Sequence, residues 1–159
     1  MALVLGIDPG TATTGFGLVR DLNDGSLEMV EYGTIQTPAG EPAHQRLATL
    51  YHRLNEILLL HRPDSVAVEK LFFQRNISTA IAVGQARGVI LLAIAEAGLD
   101  VFEYTPNEVK QAVAGYGSAQ KRQVQEMVRT LLVLSALPKP DDAADALAIA
   151  ITHLNTRRF

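Results

Sequence analysis

The chain has no cysteine and no tryptophan. Without thiols it can form neither disulfides nor thiolate zinc sites, and the composition suits a reducing compartment. No apolar stretch runs uninterrupted for the roughly 18 residues of a membrane helix. The residues ahead of Leu3 are few and uncharged, so no secretory signal is expected. Positive charge is not in excess either: 14 Lys and Arg stand against 17 Asp and Glu, a net charge of −3. As an average this counts mildly against a nucleic-acid binder. Averages hide basic patches, however, and a site that collects carboxylates lowers the total. Repeats, low-complexity tracts and linkers are absent as well. What is present is 159 residues with 48% hydrophobic content. That is enough for one domain, spanning 1–159, with a sizeable core.

Strand patterning opens the chain. Leu3 to Asp8 reads as a strand and Gly15 to Arg20 as a second. The Asn23-Asp24-Gly25 turn leads to a third at Leu27 to Gln36. After the Pro38, Gly40 and Pro42 loop the period changes. Leu47, Leu50, Tyr51, Leu54, Ile57 and Leu58 recur at three- and four-residue spacing, which predicts an amphipathic helix to His61. A short strand at Ser65 to Glu69 precedes an alanine-rich helix, Ser78 to Ala97, stopped by Gly98. Val101 to Tyr104 is the next strand. Pro106 opens a helix to about Ala114, Ser118 caps another to about Leu134, and a last helix runs from about Asp142 to Leu154. An antiparallel meander followed by crossover helices predicts an α/β fold, with one mixed sheet and helices on both faces.

Three places put acids where burial is expected. Asp8 ends the first apolar run in GIDPG; it can also be read as a turn initiator. Glu69 ends SVAVE although glutamate is disfavoured in strands; a strand end reaching solvent would do the same. Asp142 and Asp145 in DDAADALAIAITHL are three apart and share one helix face. Acids in a first turn are favoured by the helix dipole, but Asp141 already suits the cap position and leaves Asp145 unexplained. If these carboxylates converge, each raises the pKa of the others unless a cation sits among them. Lys70 alternates to the opposite side of its strand from Glu69 and is not that cation. A divalent metal is the physical solution, and magnesium or manganese suits an all-oxygen set. His44, His52, His61 and His153 match no ligand spacing and read as surface or packing residues.

The pieces GIDPGTATTGFG, AVEKLFFQRN, GQARGV, VKQAVAGYGSAQKRQVQ and DDAADALAIAITH, in this order, resemble the RuvC family. These are bacterial Holliday junction resolvases of the RNase H-like/retroviral-integrase superfamily. The resemblance runs essentially end to end. It implies an RNase H-like fold with a mixed five-stranded sheet flanked by helices, and Asp8, Glu69, Asp142 and Asp145 as catalytic metal ligands. The implied cofactor is Mg2+, with Mn2+ as a substitute, at two ions per active site. The implied activity is paired nicking of two strands of the same polarity in a four-way junction, leaving 5′-phosphate and 3′-hydroxyl ends, in recombination and repair. A homodimer working with the RuvAB branch-migration complex in the bacterial cytoplasm, with no membrane, completes the expectation.

DNA contacts should be cationic and near the acids. Lys110, Lys121, Arg122 and Arg75 are the candidates, with Arg87 and Arg129 behind them. Lys110 and Lys121 match family positions that contact the backbone near the scissile phosphate. Ser118, taken as the start of a helix, offers a phosphate seat. Phe72 is the residue the resemblance assigns to stacking on an unpaired base, while Phe73 reads as core. The stripe of Ala80, Gly84 and Gly88 permits close helix approach, against the protein's own sheet or a second copy. Two rivals stay open. One is a junction-binding homologue without nuclease activity, for which a lost acid would be the mark. The other is a sugar-kinase/actin-type phosphate loop, which GIDPGTATTG also resembles but which needs two domains around a nucleotide.

Overall fold

The computed structural model describes residues 1–10, 12–70 and 76–157. The elements follow in the order β1 (Leu3–Asp8), β2 (Thr13–Asp21), β3 (Leu27–Gln36), α1 (Ala43–His61), β4 (Ser65–Glu69), α2 (Ile77–Glu96), β5 (Val101–Tyr104), α3 (Pro106–Ala114), α4 (Lys121–Leu131) and α5 (Asp141–Thr156). One five-stranded sheet has the order β3-β2-β1-β4-β5. β1 runs antiparallel to β2 and parallel to β4, and β4 runs parallel to β5. The mixed sheet with helices on both faces is as expected.

All six residues of β1 are buried, which is what a central strand covered on both faces requires. Alternation divides its side chains between two cores. Leu3, Leu5 and Ile7 join Leu54, Leu58, Ile90 and Ile94 of α1 and α2. Val4 packs on the other face with residues of α3, α4 and α5. α5 is covered almost all round: Ala143, Ala144 and every residue from Ala146 to Leu154 are buried. α2 is long and apolar enough to cross a membrane by length and composition. In this fold its Ala86, Ile90, Ala93 and Ile94 are core residues.

Several boundaries move. Ser118 does not cap α4. It lies in the preceding turn, the N-cap is Gln120, and the Gln123 side chain accepts the Gln120 N–H at 2.8 Å. α4 also stops at Leu131 rather than Leu134, because Val133 takes a left-handed φ of 54° and turns the chain. Pro140, not Asp141, is the N-cap of α5. The stripe on α2 does not pack against the sheet at its glycines, since a Cβ on Gly84 or Gly88 would meet nothing within 4 Å.

The sheet meets α5 through glycine. A Cβ at Gly6 would lie 2.1 Å from the Ala146 carbonyl oxygen, and one at Gly15 would lie 1.9 Å from the Asp142 carbonyl oxygen. Only a residue without a side chain lets the helix backbone lie this close to β1 and β2. Gly6→Ala is therefore expected to cost roughly 1–3 kcal/mol or more through overpacking. Gly40→Ala, at a glycine with nothing within 4 Å, should change stability by less than about 0.5 kcal/mol. Thermal unfolding of the two variants checks this.

Candidate active site

Strand register delivers the first two acids. Asp8 is the last residue of β1 and Glu69 the last of β4. The parallel pairing of Ile7 with Val68 brings these ends side by side. The glycine seat then fixes where the helix lies, so α5 adds Asp142 and Asp145 from its first turns. One ligand atom each from Asp8, Asp142 and Asp145 lies within 4.8 Å of the others. Glu69 joins through a side-chain hydrogen bond with Asp8. Three of the predicted acids thus converge, and the fourth, Glu69, adjoins them through Asp8.

The electrostatics follow from crowding in a place with little water. Asp8 is only 9% exposed. Its pKa is pushed far above the carboxylate range, to about 9, by burial first, then by the hydrogen bond and charge of Glu69, then by Asp145 and Asp142. Asp145 rises to about 6, again chiefly by burial, with Lys121 opposing the rise and Glu69 and Asp142 adding to it. Raised values of this kind mark carboxylates that need a positive charge.

One protein cation approaches, Lys121, one of those expected near the acids. The Lys121 Nζ lies 3.2 Å from Asp141 Oδ2 and 3.9 Å from Asp145 Oδ2. Desolvation works against the lysine's charge, but Asp145 and Asp141 together raise its pKa. Asp141, the residue suited on sequence to capping, instead holds Lys121 and accepts from Gln125 at 3.0 Å. A single exposed ammonium cannot offset four carboxylates. A donor set made of carboxylate oxygens at this spacing fits a hard divalent cation.

Lys110 and Lys121 line a cleft of about 520 Å³ with Glu69 and Asp145, floored by Val109, Val124 and Ile149. Arg122 points elsewhere: its side chain is 78% exposed and reaches Glu126 at 3.7 Å. Ser118 is exposed in the turn before α4. Arg129 also pairs with Glu126. Phe72, Phe73 and Arg75 lie outside the described residues. His153 is buried, as a packing residue, between the Tyr104 hydroxyl at 2.7 Å and the Ser65 hydroxyl at 3.1 Å. Sequence reasoning missed what Arg87 does. It is not a free phosphate ligand: it donates to the Glu69 carbonyl oxygen and pairs with Glu103.

The family model for crossover junction endodeoxyribonuclease RuvC matches residues 4–153. The chain belongs to the RuvC family. A RuvC from Chloroflexus aurantiacus is 60% identical over 152 residues, covering 96% of this chain and 92% of the relative. One from Brevibacillus brevis is 56% identical over 156 residues, covering 98% and 93%. The solved RuvC of Thermus thermophilus, in complex with its Holliday junction substrate, superposes with a TM-score of 0.94 at 42% identity, covering 98% and 94%. RuvC proteins are endonucleases that resolve Holliday junctions, and the RNase H-like sheet expected from the motifs is the fold of this chain.

The crowding has a measurable consequence for the chain without metal. Folded Asp8 and Asp145 hold protons more tightly than unfolded ones, whose ordinary value is 3.8. Stability contributed by this site is therefore lost as pH rises from that value, through about 6 for Asp145 and towards about 9 for Asp8. Each pKa unit corresponds to about 1.4 kcal/mol. In chelator at pH 8, Asp8→Asn should raise Tm by several degrees, at about 2–4 °C per kcal/mol for a chain of this size. It should also flatten the fall of Tm between pH 5 and 8. An unchanged or lower Tm in thermal unfolding would mean that the carboxylates are not in conflict.

Proposed function

We infer that the chain nicks two strands of like polarity in a four-way DNA junction, by hydrolysing phosphodiesters at the centre formed by Asp8, Glu69, Asp142 and Asp145. The observation that carries this is the convergence of carboxylates from β1, β4 and α5, with proton affinities raised at Asp8 and Asp145, in a RuvC-family chain. The Thermus thermophilus relative was solved with its Holliday junction substrate; the same substrate is proposed here.

The four acids would hold Mg2+, with Mn2+ as a substitute, and two ions suit the geometry of an in-line displacement. When bound, the metal polarises the scissile phosphate and lowers the pKa of a water. Lys110 and Lys121 seat the phosphate at the mouth of the cleft. Lys121 exchanges its carboxylate partners for phosphate oxygens, and its charge stabilises what develops on them. The oxygen of a water would bond to phosphorus as the bond to the 3′ oxygen breaks, the water giving up a proton and the 3′ oxygen gaining one. The products are a 5′-phosphate and a 3′-hydroxyl, ends that can be rejoined. Ser118 and Arg122, exposed before and at the start of α4, contact the backbone further out. Phe72 and Arg75 keep the roles implied by the family motif, stacking on an unpaired base and contacting DNA near the cut.

A homodimer would place two such sites on the two equivalent strands of a junction. The open face of α2 supports this: Ile77, Ile81 and Leu92 are 75%, 57% and 54% exposed, and Gly84 and Gly88 leave room for close approach. The setting we assign is recombination and repair in the bacterial cytoplasm, alongside the RuvAB complex.

A labelled four-way junction and a plain duplex of the same sequence, each with magnesium, manganese or chelator, test the reading. Symmetric nicks on the junction alone, and only with metal, are expected. Asp8→Asn should bind the junction without cutting. Lys121→Ala should weaken binding and reduce the salt slope by about 0.9, the contribution of one phosphate contact. Binding without nicks under either metal would contradict the reading in favour of a binding module. Equal cutting of the duplex would point to a nuclease of other specificity.

A further inference from the structure

Arg87 is a charged residue of α2 drawn into the fold, with a side chain only 11% exposed. A guanidinium is costly to bury unless its donors are engaged. Here Nη1 donates to the backbone carbonyl oxygen of Glu69 at 2.5 Å, and Nη2 pairs with Glu103 Oε1 at 2.5 Å. Glu69 closes β4, and Glu103 lies in β5, where Val68 is its register partner. One arginine therefore ties α2 to the ends of two strands.

The place is informative. The ladder between β1 and β4 has its last pair at Ile7 and Val68, one residue before Glu69. Val66 and Val68 face the core formed with α1 and α2, and Ala67 faces the core formed with α5. By alternation the Glu69 carboxylate is presented on the α5 side, towards Asp145. Arg87 holds the carbonyl of that same residue from α2, on the opposite face of the sheet. Beyond the last β1–β4 pair, the end of β4 is held on its other edge by the pairing of Glu69 with Tyr104 and by the Lys70 N–H donating to the Tyr104 carbonyl oxygen. The Arg87 hydrogen bond adds the restraint from α2.

We propose that Arg87 is a positioning residue for the nuclease centre: by clamping the Glu69 carbonyl and Glu103 together, it fixes the backbone from which the Glu69 carboxylate reaches the metal. The proposal rests on Glu69 being a metal ligand. Ligating carboxylates must be held to within about 0.5 Å to work, and loss of a residue that orients a ligand typically weakens metal binding about 10–100-fold. Lysine is a poor replacement, because a single ammonium cannot span the two acceptors as a planar fork does.

The test compares full-length Arg87→Ala, Arg87→Lys, Glu103→Gln and Glu69→Gln with the unaltered protein. Mn2+ binding is followed by electron paramagnetic resonance, junction nicking against Mn2+ concentration, and junction binding in chelator. Arg87→Ala should bind Mn2+ about 10-fold more weakly or worse and need correspondingly more Mn2+ to nick, with junction binding in chelator unchanged. Arg87→Lys should fall between the two. A folded Arg87→Ala with unaltered Mn2+ affinity overturns the proposal. If Arg87→Ala does not fold, Glu103→Gln decides: a several-fold loss of Mn2+ affinity supports the clamp, and no loss overturns it. Glu69→Gln separates the two layers of the reading. Full Mn2+ affinity there removes Glu69 from the ligand set, and the clamp's function with it. Lost affinity there, beside unaltered Arg87 and Glu103 variants, removes the clamp alone.

Discussion

Carboxylates forced together at the end of a buried strand are the constraint around which this protein is arranged. Asp8 cannot leave: β1 is central in the sheet, covered on both faces and paired on both edges. Glu69 cannot leave either, because parallel pairing puts the end of β4 beside it. α5 brings Asp142 and Asp145 because Gly6 and Gly15 let its backbone settle onto the sheet. The conflict among these charges is held in place by two hydrophobic cores, one on each side of the sheet. A site that repels itself when empty is preorganised for a divalent cation, since no carboxylate has to be gathered when the ion arrives.

The surroundings show how such a centre can meet DNA in a chain of net charge −3. Asp8 is buried at the end of the sheet, Glu69, Asp142 and Asp145 are half-buried around it, and Lys110 and Lys121 line the cleft beside them. The opposite layer carries a different duty. α2 buries one side against the sheet, sends Arg87 to the end of β4, and leaves Ile77, Ile81 and Leu92 in solvent. The carboxylate cluster and an exposed apolar helix face are thereby connected through Arg87.

Much of this was legible in the sequence for physical reasons. Period-two and helical patterning located each strand and helix, because burial on both faces of a sheet leaves few arrangements for such runs. Asp8 and Glu69 stood out as charges ending apolar strands, and Asp145 as an acid on a helix otherwise apolar all round. What escaped notice depended on contacts between elements far apart in the chain. The arginine of GQARGV looks like any basic residue until β5 supplies Glu103 and β4 its carbonyl. The glycines of GIDPG and TGFG read as turn or strand residues until α5 is laid against them. Ser118 was misplaced as a cap because serine is a good one in general, whereas here the turn runs two residues further and Gln123 satisfies the Gln120 N–H.

The central claim is that four carboxylates from three elements form one metal centre. The most direct measurement is an anomalous diffraction map of crystals grown with Mn2+. The account predicts peaks bounded by the side chains of Asp8, Glu69, Asp142 and Asp145, displacing the Lys121 ammonium from Asp145. Crystals of active protein with Mn2+ bound elsewhere, and none among these four residues, would contradict it.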